Sequence, residues 1–232
     1  MEKYLYISIN FLTILVPFIR SFEPRVAYYK QFKALFSAIF CTGSFFIVWD
    51  ILFTSWGVWG FNERYLSGFY MANLPLGECL FFLTVPYACI FIYEVLIYFV
   101  NEKYLVKKTT LINFLILLTL AFVAITNYDK IYPFTTAILA IGFLAIHSFF
   151  ITKQKLAYFY LAFLVSLVPF LLVNGVLTGS GIEEQIVWYN DNENLGIRLG
   201  TIPLDDFIYC YLLLFMNVSF YEFFKQKFKT KT

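Results

Sequence analysis

Charge is scarce in this chain. Asp, Glu, Lys and Arg supply 14% of its 232 residues, against 61% hydrophobic and 22% aromatic, a balance that excludes an ordinary soluble domain. Histidine occurs once, as His147, and the four cysteines, Cys41, Cys79, Cys89 and Cys210, form no CxxC pair. No metal-binding or redox motif is offered by them, and they read as small buried hydrophobes. His147, inside an apolar run, reads as a hydrogen-bonded packing residue. Glycine-rich nucleotide and flavin fingerprints are missing, so no cofactor is indicated. A net charge of +2 gives no reason to expect nucleic acid as a partner. The apolar runs also lack the ten-residue alternation of barrel strands.

What the chain does have is long apolar stretches. A helix needs about 20 residues to cross a hydrocarbon layer of roughly 30 Å, and seven candidates occur at 4–20, 33–53, 79–100, 110–126, 133–150, 156–178 and 203–224. The predicted fold class is therefore all-α, an integral membrane protein of seven transmembrane helices, because a chain in lipid must satisfy its backbone polar groups within each segment. The basic residues support this count. Only Lys3, Arg64, Lys130 and Arg198 fall on one side of such a bundle. The other thirteen of 17 basic residues fall on the opposite side: Arg20, Arg25, Lys30, Lys33, Lys103, Lys107, Lys108, Lys153, Lys155, Lys225, Lys227, Lys229 and Lys231. By the positive-inside rule the N-terminus is expected outside and the C-terminus in the cytoplasm, in the cell's inner membrane. The first run shows no small-residue cleavage site after it and reads as a retained span.

The third and seventh runs repeat one another. Leu74-Pro75-Leu76-Gly77-Glu78-Cys79-Leu80-Phe81 matches Ile202-Pro203-Leu204-Asp205-Asp206-Phe207-Ile208-Tyr209 at an offset of 128, and the same offset pairs Tyr93-Glu94 with Tyr221-Glu222 and Phe61-Asn62 with Tyr189-Asn190. A looser match sets Trp49-Asp50 against Val173-Asn174. Helix one then corresponds to five, two to six and three to seven. The expected organisation is a first three-helix repeat over 1–105, a linking transmembrane helix within 106–128 and a second repeat over 129–232. Equivalent helices four spans apart run the same way, so the repeats are parallel about a pseudo-two-fold axis along the membrane normal.

Ionisable residues within spans are costly and point to function. Asp50 closes helix two, Glu78 opens helix three, Asn174 lies near the end of helix six, and Asp205 with Asp206 opens helix seven, so all five reach one outer level. Proline followed by acids also describes a plain helix start, with carboxylates favoured at the positive end of the dipole. That explanation leaves out Asp50, which ends a helix where the dipole opposes an anion. Carboxyl groups crowded at low dielectric hold a proton among them, a proton donor in an apolar pocket. Arg198 is the only basic residue in its loop. Trp49, Trp56, Trp59, Phe81, Phe82, Trp188 and Tyr209 flank the same level, where aromatic faces can stabilise a carbocation. Glu94 and Glu222 lie sixteen residues further along, about 24 Å away, and their place near the basic side reads as structural pairing or interfacial anchoring.

These motifs resemble a known family. Asn73-Leu74-Pro75-Leu76-Gly77-Glu78-Cys79-Leu80-Phe81-Phe82, continuing through Val85-Pro86-Tyr87-Ala88-Cys89 to Tyr93-Glu94, is similar to the first signature of lycopene cyclases of the heterodimeric, non-flavin membrane type. The run from Gly196 through Arg198 and Pro203-Leu204-Asp205-Asp206 to Tyr209, followed by Asn217 and Tyr221-Glu222, resembles the later motif, and Val173-Asn174-Gly175-Val176-Leu177-Thr178-Gly179 is similar to a further stretch. The resemblance covers essentially the whole chain and suggests a fusion of two halves. It departs at Gly77, where the family usually carries the first of two acids.

The resemblance implies non-redox cyclisation of lycopene ends to β-ionone rings, giving β-carotene. Such chemistry needs a general acid, cation stabilisation and a base. Glu78 and Asp206 are expected to act as the acid and base, with Asp50 and Asp205 tuning them. Arg198, Asn174, Trp49, Phe81, Phe82 and Tyr209 are the expected substrate-side residues. Lycopene and other long carotenoids, the lipid bilayer, a second copy of the chain and carotenoid-pathway enzymes are the expected partners. Two other readings stay open: a carotenoid hydratase working through the same cation, and a proton-coupled transporter with three, one and three helices. A retinal receptor is excluded, since no Lys lies within 203–224 for a Schiff base.

Overall fold

The computed structural model describes residues 2–101, 103–147 and 152–229. These form seven α-helices: α1 (Leu5–Arg20), α2 (Phe32–Ser55), α3 (Leu76–Phe99), α4 (Lys103–Thr126), α5 (Ile131–His147), α6 (Lys153–Leu177) and α7 (Asp205–Lys229). Six of the seven are long and apolar enough to cross a membrane, and α5, with 17 described residues, is shorter. The predicted fifth span ran to 150, and its last three residues, like Lys231 of the basic tail, lie outside the described residues. Large apolar side chains such as Phe11, Phe40, Phe122 and Leu172 point outward, as a lipid-facing surface requires.

Burial identifies the centre of the bundle. In α7, 67% of the apolar window is buried, against 11% in the first span and 17% in the fourth, so α7 is the hub and the other two are peripheral. The packing is crossed: α1 lies on α3 and α5 on α7, while α2 packs mainly on α7 and α6 on α3. Helix α4 covers α5 and α6. Each half therefore contributes a helix to the core of the other.

The sequence reading did not include strands, yet three short antiparallel ribbons cover the acid-bearing end. Strands β2 (Tyr70–Met71) and β3 (Leu74–Pro75) pair before α3, and β5 (Arg198–Leu199) and β6 (Ile202–Pro203) pair before α7. Each strand lies 128 residues from its counterpart. Even the turns agree, with Ala72 at φ 55° and Gly200 at φ 63°, a left-handed conformation that glycine adopts without strain. The third ribbon joins β1 (Trp59–Phe61) to β4 (Val187–Tyr189) and sets Gly60 opposite Trp188, residues again 128 apart. Two equivalent loop segments thus pair with each other and close one end of the bundle.

At the opposite end the equivalent Tyr-Glu pairs meet. Tyr93 donates to Glu222 at 3.1 Å, Lys155 bridges Glu222 at 2.5 Å, and Lys225 pairs with Glu94. Lys225 and Glu94 keep only 15% and 10% of their side-chain surface exposed, so removing one partner strands the other charge. Lys225→Met is expected to lower the stability of detergent-solubilised protein by about 3 kcal/mol, read from its unfolding midpoint. The double variant Lys225→Met/Glu94→Gln should recover part of that loss.

Candidate active site

The first acid is set by the start of α3. Pro75 holds φ −66° and ψ 151° immediately before the helix, placing Glu78 in its first turn. Glu78 is 8% exposed and accepts a hydrogen bond of 2.5 Å from Tyr6 of α1. The absent acid at position 77 has a steric reason. A Cβ on Gly77 would stand 2.5 Å from Cγ of the Tyr6 ring, so a side chain there and the Tyr6–Glu78 bond exclude each other. Buried Asn10 fixes the same contact, donating to the Gly77 carbonyl at 2.9 Å and accepting from Thr84 at 2.6 Å. Gly77→Ala is expected to cost about 1–3 kcal/mol by overpacking and to reduce turnover by displacing Tyr6. Thermal unfolding and an activity assay on the same preparation check both parts.

Asp50 comes from the last turns of α2 and is 3% exposed. It accepts from Tyr209 at 2.7 Å and lines the same cavity as Glu78. Two carboxyl groups buried on one apolar cavity are more stable with a proton between them than as two bare anions.

The second acid is built differently. Asp206, 5% exposed in the first turn of α7, accepts from Tyr132 at 2.8 Å, Asn174 at 2.7 Å and Tyr189 at 2.9 Å. Three donors converging on one carboxyl group favour its anion. Tyr189 lies in the loop region, where burial first and the Asp206 charge second push its hydroxyl well above the usual tyrosine range, keeping it a donor.

Tyr6, Asp50, Glu78, Asn174, Tyr132, Tyr189, Asp206 and Tyr209 all line a single cavity. Trp59 and Phe81 supply aromatic walls. The remaining predicted residues lie elsewhere. Asp205 is fully buried but turned toward the loop, where it accepts the Leu195 N–H at 3.1–3.2 Å. Arg198 pairs with Asp191 at 2.6 Å and does not line the cavity. Asn194 and then Arg198 hold the Asp191 carboxyl below its usual range. Trp49 and Phe82 stand behind the wall, each packed on Phe46 at 5.6 Å and 5.9 Å. Trp56 and Trp188 are exposed. Among the described residues no group of three or more His, Cys, Asp or Glu is arranged to hold a metal ion.

The sequence reading missed three tyrosines. Tyr6 and Tyr132 occupy matching places in α1 and α5, each donating to the acid of its own half, but their spacing of 126 differs from the main offset. Among 18 tyrosines such a pair does not stand out. Tyr189 enters the sequence pattern only through the loop match with Phe61.

A cavity lined by three buried carboxyl groups, one of them served by three donors, and walled by aromatic rings offers acidic and basic groups to an apolar ligand. The family model for lycopene cyclase matches residues 3–96 and 129–224, both repeats of the chain. The chain therefore belongs to the lycopene cyclase family, and its role is that of a carotenoid cyclase. No curated protein and no solved structure matches it.

Proposed function

We propose that this protein is a lycopene β-cyclase, converting the acyclic ends of lycopene to β-ionone rings without net redox change. The observation that carries the reading is that the carboxyl groups of the Asp50–Glu78 pair and the triply hydrogen-bonded Asp206 face the same cavity. The pair adds its proton to the terminal double bond, leaving a tertiary cation. The π electrons of a neighbouring double bond then close the six-membered ring, and the positive charge moves onto a ring carbon. Asp206 takes a ring proton and the β double bond forms. One proton enters and one leaves, so the product is an isomer of the substrate, and return of the proton to the Asp50–Glu78 pair completes the cycle. Trp59, Phe81 and Tyr209 present aromatic surface to the cation, a contact worth about 2 kcal/mol when desolvated. Asp205 and Arg198 act on the loop that carries α7 rather than on the substrate.

The same reading arranges the chain as three helices, a linking helix and three helices in the cell's inner membrane, the acids near the outer face and the lysine-rich end in the cytoplasm. Expression in a lycopene-accumulating bacterium tests the function directly. Chromatography of the extracted pigment is expected to show β-carotene and its one-ringed precursor in place of lycopene. Lycopene left intact, with the protein present in the membrane, would overturn the reading.

A further inference from the structure

The acids occupy one end of the cavity, yet its lining continues far past them. Along α3 it runs from Glu78 to Ile92, fourteen residues or about 21 Å of helix. Beyond the acids the walls are mostly apolar or small: Val85, Ala88 and Ile92 of α3 face Pro169 and Phe170 of α6, with Thr13 of α1 at the side. Pro169 is exposed, and Thr13, Ile92 and Phe170 are half-buried. The far end of the cavity therefore reaches the lateral surface of the bundle between α1 and α6, well inside the membrane-spanning part of α3.

In the other half, rings fill the corresponding place among the described residues. The counterparts of Phe170 and Val173 at the 124-residue spacing of helices α2 and α6 are Phe46 and Trp49, which are buried and stacked at 5.6 Å. The Tyr209 ring packs against both, at 5.0 Å and 5.6 Å. Three rings fill on one side the volume that stands open on the other.

We propose that the unreacted tail of the polyene substrate lies along α3 in this one-sided channel and passes out to lipid between α1 and α6, with Ala88 and Ile92 limiting what length of chain can follow the reacting end. The proposal rests on the cyclase reading above. A long polyene held at one end must place the rest of its length somewhere, and this channel is apolar, continuous with the acids and open to lipid. Neither Ala88 nor Ile92 approaches the acids, since they lie ten and fourteen residues along α3, about 15 Å and 21 Å away.

The test uses Ala88→Trp and Ile92→Trp in membrane vesicles, with full-length lycopene and with a truncated polyene under about 15 Å long that carries the same acyclic end. For lycopene, Ala88→Trp is expected to lower kcat/KM by about tenfold or more, chiefly by raising KM. Turnover of the short polyene should stay within about twofold of wild type, which also shows that the variant is folded. If Ala88→Trp fails to accumulate, Ile92→Trp at the half-exposed rim decides on the same criterion. Equal effects on both lengths, or none on lycopene, overturn the channel. Wild-type protein that converts neither substrate overturns the cyclase reading instead.

Discussion

Replacing Glu78 by Gln is expected to reduce ring formation from lycopene by about a hundred- to ten-thousand-fold, the range removed with a positioned general acid, while leaving the amount of protein in the membrane unchanged. Gln keeps the shape of the side chain and can still accept from the Tyr6 hydroxyl. It cannot share an acidic proton with Asp50. The loss should therefore fall on kcat rather than on binding of the polyene, which is held mainly by apolar contact along α3. Purified protein assayed in lipid with saturating lycopene separates the two. Turnover preserved within a few-fold would remove the Asp50–Glu78 pair from the chemistry.

Asp206→Asn is expected to be nearly as severe, at about a hundred- to thousandfold, as when preorganised charge opposite a developing cation is lost. Asn is nearly isosteric, but its amide group would turn N–H toward donors that now serve a carboxylate: Tyr132, Asn174 and Tyr189. The neighbouring Asp205→Asn provides the comparison. Asp205 meets the Leu195 N–H and not the cavity, so its variant should lose stability of the loop before α7 and retain most turnover. Side-by-side rates of the two single variants check this, and equal losses would contradict the assignment of Asp206 alone to the substrate.

The amino-acid sequence discloses the helices because lipid imposes length and apolarity on every crossing segment. It discloses the meeting of Asp50, Glu78, Asn174 and Asp206 because an internal repeat fixes which residues share a depth. Which neighbour of a pair turns inward is harder to read. Asp205 and Asp206 are adjacent, and successive residues of a helix point about 100° apart, so depth alone cannot say which one meets the cavity. Arg198 illustrates a second limit: its partner Asp191 is chosen by the turn geometry of the loop, not by proximity to the carboxylates in sequence. Gly77 is clearer in three dimensions than in the chain. It departs from the family pattern because the ring of Tyr6, seventy-one residues earlier, occupies the space, a contact that no local pattern encodes.

The bundle is fastened at both ends. The ribbon between Trp59–Phe61 and Val187–Tyr189 ties the halves above the acids, and the crossed Tyr-Glu-Lys contacts tie α3, α6 and α7 at the far side. A rocking carrier needs two bodies that part alternately at each face, like the shells of a clam, and these fastenings oppose that motion at both faces. The chamber behaves instead as a stiff vessel with a side port. On the proposed reading a guest slides in from the surrounding oil and is not carried between two watery compartments.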